Sequence, residues 1–103
     1  MTISIDKDAW VWVVVQDPGG SEQYLGQYEE ESGVSFIPVF RKKEHALMCL
    51  NLMARDKKRK CEVQAVIYSD LSGQAASSEF MLYILDEEGR VLDRIKPLME
   101  SGE

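Results

Sequence analysis

The chain has 103 residues, 45% of them hydrophobic and 29% charged, with a net charge of −6. That length and balance fit one globular domain over residues 1–103. They exclude a disordered tail, a collagen-like fibre and a disulfide-stapled mini-protein.

Residues 9–16 (AWVWVVVQ) are aromatic and β-branched and too short for a typical helix, so they read as a strand. Both of its faces are apolar, which places it inside a sheet covered on two sides. Asp17-Pro18-Gly19-Gly20 ends it as a type II turn, with Pro presetting φ and Gly accepting the positive φ that follows. Residues 22–29 read as a strand weakened at Gly26, with Tyr24 and Tyr28 on one face. Residues 34–40 (VSFIPVF) form the next strand, with Pro38 expected at an edge, a bulge or the strand's end.

Residues 41–55 carry the long helix. At 100° per residue Ala46, Leu47, Leu50, Met53 and Ala54 make its main apolar face, with Cys49 at the border. Met48, Leu52 and His45 gather on a flank outside that face. A polar connector, DKKRK at residues 56–60, leads to a strand at 61–68. Residues 69–79 read as a short helix or turn, capped by Ser69 or Asp70 and weakened at Gly73. A second doubly apolar strand at 80–86 turns through Glu87-Glu88-Gly89-Arg90 into a last strand at 91–95. The expected fold is α+β: a single mixed or mostly antiparallel sheet of five to six strands, one long helix and one short helix. One long helix covers only one face of such a sheet, so the other face requires the short helix, an irregular segment or a second molecule.

The residues Gly33-Val34-Ser35-Phe36-Ile37-Pro38-Val39-Phe40, followed by Arg41-Lys42-Lys43-Glu44-His45-Ala46, form a strand ending in Pro-Val-Phe and then a helix opening near Ala. This stretch resembles the N-terminal domain of SseB-like proteins and other small bacterial α/β domains. It covers about a seventh of the chain, and Arg41 stands where such helices more often open with Ser or Thr. The resemblance implies a bacterial cytoplasmic α+β domain and no catalytic residue.

Motifs for chemistry are sparse. His45 is the single histidine, and it lies four residues before Cys49. A metal there would need two more ligands, of which Cys61 would be one. A Ser-His-Asp triad would have to use His45, and no G-x-S-x-G is present. The turn from Asp17 to Ser21 offers a small anion nest but neither a Walker A nor a dinucleotide pattern. Glu29-Glu30-Glu31 and Asp86-Glu87-Glu88 lack the alternation of an EF-hand and read as solvated turns. Trp10 with Trp12, and Tyr24 with Tyr28, serve as core or, if exposed, as stacking surfaces. No cofactor and no metal site are implied, and the two cysteines are expected as free thiols.

Charge is segregated. Arg41, Lys42, Lys43, Arg55, Lys57, Lys58, Arg59 and Lys60 against Glu44 and Asp56 give residues 41–60 a charge of +6, leaving −12 on the rest. The longest apolar run, residues 9–15, is far below the roughly 20 of a membrane helix, so no span is expected. The opening residues carry no basic-then-apolar leader pattern, and a cytoplasmic location is expected. The leading expectation is a non-enzymatic binding or regulatory domain that acts through protein–protein contacts, a homodimer, with Met48, Leu52 and His45 at the interface. The alternative is a nucleic-acid or phospholigand binder using Lys57, Lys58, Arg59 and Lys60, which the acidic bulk disfavours. A small carboxylate-based enzyme ranks third.

Overall fold

The structure, a computed structural model, describes residues 5–97. Seven strands form one mixed sheet: β1 Trp10–Gln16, β2 Gln23–Tyr24, β3 Gln27–Glu29, β4 Val34–Phe40, β5 Cys61–Ile67, β6 Met81–Leu85 and β7 Val91–Ile95. Two helices, α1 Lys43–Cys49 and α2 Tyr68–Ser77, lie on opposite faces, and a 3-10 turn, Leu50–Leu52, extends α1.

The longer strands run in the order β5-β1-β4-β6-β7. β4 and β6 are parallel, from Phe36 beside Met81 to Phe40 beside Leu85, and the remaining pairs are antiparallel. β1 pairs with β5 along its whole length. Its other edge meets β4 at one bridge, Trp12 with Phe40, and the two strands then diverge. β2 stays on β1 and β3 on β4, so the chain between them fills the fork. Leu25 sits there, buried, with its N–H donating to the Val14 carbonyl at 2.8 Å.

Alternation along the strands builds two cores. Val11, Val13 and Val15 of β1 join Ile37, Val39, Leu82 and Ile84 under α2, which contributes Leu71 and Ala75 from one helical face. On the other side Phe40, Tyr83 and Leu85 pack under α1, which contributes Ala46 and Cys49. The expected doubly apolar strands are therefore covered by protein on both faces. α2 supplies the second cover, so that argument for a second molecule falls.

Several sequence expectations need correction. There are seven strands, not five or six, because the 22–29 segment breaks into β2 and β3 at Leu25 and Gly26. The helix expected over 41–55 stops at Cys49, and α2 at ten residues is the longer of the two. α1 has no side-chain cap at Lys42, and Met53 is extended, with the following Ala54 fastened to β3. Gly73 does not break α2, since its position faces open space and only helix propensity is lost. On α1 the buried side runs through Ala46 and Cys49, which turns Leu47 outward. Pro38 is buried inside the sheet beside Tyr83, in the stretch between the end of the β3 ladder at Phe36 and the β1 bridge at Phe40. The break in pairing there makes room for a residue without an N–H.

Candidate functional site

The Met48, Leu52 and His45 flank divides in the fold. Met48 and Leu52 are 61% and 70% exposed, and Leu47 beside them is 49% exposed. Together they form an apolar stripe along α1 and the 3-10 turn. His45 turns away from it, toward the β6–β7 hairpin. Its side chain is only 18% exposed, its Nε2 lies 3.9 Å from Glu87 Oε1, and its Nδ1 is buried with no hydrogen-bond partner.

Cys49 points the same way. Its thiol donates to the Asp86 and Glu87 carbonyls at 3.5 and 3.4 Å. Burial, with Asp86 and Glu87 nearby, pushes its pKa upward, opposite to what a nucleophile needs. Cys61 lies on β5, and neither cysteine is bridged. Among the described residues, no three His, Cys, Asp or Glu side chains converge as metal ligands.

The basic connector is only partly free. Arg59 donates through Nε to Asp17 Oδ2 at 2.9 Å and through its second nitrogen to the same oxygen. Asp17 also donates its N–H to the Lys60 carbonyl, so the pair stitches the connector to the end of β1. Lys57, Lys58 and Lys60 are exposed. At the other end of the segment Lys43 Nζ stands 5.7 Å from the Trp12 ring centroid, a cation–π contact. Trp12 is half-buried while Trp10 is exposed, so the two indoles do not make one open platform.

Both acidic clusters have structural work. The Asp86 carboxylate accepts the backbone N–H groups of Glu88 and Arg90 at 2.8 and 2.9 Å and is held below its ordinary pKa, with the Arg90 bond as the main cause. Glu29 accepts from Ser32 and Tyr83 and pairs with Arg94. The nest at the β1–β2 turn is filled by the chain itself: the Gly19 N–H donates to the Glu22 carboxylate at 2.7 Å. The turn takes the expected form, with Gly19 at φ +82° and the Gly20 N–H on the Asp17 carbonyl.

A cleft missed in the sequence opens beside the fork. It encloses about 680 Å³ between the β2–β3 arm and the C-terminal half of α2, with Tyr24, Tyr28 and Phe80 on its wall. Its signal was the Tyr24/Tyr28 pair, but Phe80 and Gln74 come from a helix end that no local pattern places there.

Comparison of the chain with known protein families, with curated proteins and with solved structures gives no match. The residues from Gly33 to Ala46 form β4 and the start of α1, and the buried ones among them, Ile37–Phe40 and Ala46, are packing residues.

Proposed function

We infer that the protein is a binding domain whose docking surface is the α1 stripe, and that its partner is a protein presenting apolar side chains ringed by acids. The observation that carries this is the coincidence of Leu47, Met48 and Leu52, all exposed, with the +6 segment that contains them. Apolar side chains gathered within a charged frame are the ordinary make-up of an interface core and rim. Charge selects between occupants. A symmetric pair of copies joined over α1 would bring two +6 segments together, whereas an acid-rimmed partner neutralises one. His45 belongs to the hairpin contact and supports α1 from behind.

The reading is tested with a fluorescent amphipathic peptide carrying leucines on one face and glutamates around it. Anisotropy should rise on titration with the protein, weaken with salt, and be lost in Met48→Glu and Leu52→Glu. Light scattering of the protein alone at micromolar concentration should show a monomer. A dimer dissolved by Met48→Glu would assign the stripe to a second copy and overturn the partner assignment. Peptide binding indifferent to both substitutions would overturn the surface itself.

A further inference from the structure

The cleft beside the fork lies on the α2 side of the sheet and plays no part in the α1 reading. Its wall has an unusual balance. Three aromatic side chains, Tyr24, Tyr28 and Phe80, stand with the amides of Gln23 and Gln74, and Glu22 is the one charged residue lining it. Among the described residues no cation lines the cleft to meet a phosphate or carboxylate, so an anionic ligand would enter uncompensated beside Glu22. The Gln23 and Gln74 amides make no hydrogen bond with other described residues, and both side chains lie at the solvent boundary. An amide presents two donors and an acceptor, and a phenol presents both functions.

A second hollow of about 220 Å³ shares Glu22, Gln23, Tyr24 and Gln74 with the first. The two together form a groove with a ridge of one ring and two amides at its middle. The rings in the cleft are not stacked on one another: among the described residues the stacked pair is Phe36 with Tyr83, on the opposite face. Tyr24 and Phe80 also pack against the core under α2, and Tyr28 is the exposed ring of the three, so the groove holds one free aromatic face beside two partly buried edges of the core. Gly26 lets the Phe80 ring lie close against the β2–β3 link, because a Cβ there would come within 3.1 Å of that ring.

We propose that this groove binds a neutral carbohydrate of two or more rings. Hydroxyls act as both donor and acceptor, so they match amides, phenols and a carboxylate alike. The C–H faces of sugar rings lie on aromatic faces with little loss of water. Two joined hollows suit linked rings better than a single nucleobase, which calls for a narrow slot closed on both sides by stacked rings.

The test is a titration of the isotopically labelled protein with maltose, cellobiose, lactose and chitobiose, with adenosine as the competing chemistry. At least one disaccharide should shift amide resonances in residues 22–28 and 73–80 at millimolar concentration. Gln74→Ala, on an exposed helical position, should weaken binding about tenfold through the lost hydrogen bonds. Tyr28→Ala, also exposed, should weaken it by a similar factor. Met48→Glu, on the other face, should bind as the parent does. Absence of shifts with all four disaccharides overturns the proposal, as does a groove that takes adenosine in their place. Binding unchanged in both Gln74→Ala and Tyr28→Ala overturns it as well.

Discussion

The Glu29 carboxylate accepts the buried Tyr83 hydroxyl at 2.8 Å, across 54 positions of sequence. Ser32 donates to the same oxygen at 2.7 Å, and Arg94 reaches the other at 3.1 Å while lying over the Tyr83 ring. Tyr83 stacks on Phe36 with centroids 4.1 Å apart. One carboxylate therefore ties β3 to β6 and β7 on the α1 side of the sheet.

Those hydrogen bonds, led by Ser32 and then Tyr83 and Arg94, lower the Glu29 pKa from 4.5 to about 2. A depressed pKa in the folded state stabilises above the unfolded value, and the benefit fades as pH falls from about 4.5 toward about 2. Thermal melts should show the parent losing stability across that window. Glu29→Gln should be less stable at neutral pH and flatter through the same range. Parallel curves for the two proteins would contradict the assignment.

The two helices differ in what they bury. Leu71 on α2 is fully enclosed, so Leu71→Ala should cost about 2–5 kcal/mol through lost transfer energy and a cavity. Leu52→Ala should change stability by no more than ~0.5 kcal/mol, as for other exposed positions. Urea denaturation of both variants checks the contrast.

Gln27 makes a pair of hydrogen bonds to one residue of the loop after the 3-10 turn: its Nε2 donates to the Ala54 carbonyl at 2.7 Å and its Oε1 accepts the Ala54 N–H at 2.9 Å. This imitates a strand pairing and fixes the chain where it leaves the 3-10 turn. Gln27→Ala should lower global stability by only ~1 kcal/mol. Hydrogen exchange at the Ala54 amide should accelerate far more than exchange at Val13 or Ile84. Equal acceleration everywhere would show the contact to be part of the global core.

The connector lysines should govern encounter, not folding. Reversing Lys57, Lys58 and Lys60 to Glu should slow association with the acidic peptide and flatten its salt dependence, leaving the melting temperature nearly unchanged. Arg59→Ala should instead lower stability slightly, because it releases Asp17 at the end of β1. Single-stranded RNA should show no salt-sensitive binding that depends on the three lysines. Stopped-flow kinetics and a parallel RNA titration measure both.

The strands and the fold class are legible in the sequence wherever composition is extreme. The runs around Val13 and Ile84 alternate between two apolar faces, and such strands have few other places to go. The helices were harder. Residues 41–55 keep an apolar period past Cys49, yet the backbone tightens into a 3-10 turn at Leu50–Leu52 and is extended by Met53, beyond which Ala54 is held by Gln27, 27 positions away. α2 looked weak because Gly73 counts against it locally, but Leu71 and Ala75 gain more from the core than the glycine loses. Met48 and Leu52 were legible as a flank off the main face. A helical wheel groups His45 with them, since it does not show the hairpin that draws this side chain inward. The groove was hidden because its walls come from β2, β3 and the end of α2, and only the crossing of distant elements assembles it.

The strand order has a consequence for how the chain reaches this shape. β1 waits for β5 and β4 waits for β6, so each inner strand finds its principal partner in the other half of the chain. Residues 5–55 can close only the short β1–β2 and β3–β4 ladders and the single Trp12–Phe40 bridge. During synthesis the most apolar strand, β1, must therefore stay without its long ladder until β5 has emerged, and β4 without its inner neighbour until β6 has. The described residues form a single cooperative unit by this arrangement, and the exposure of β1 and β4 to aggregation is greatest before β5 and β6 have joined them.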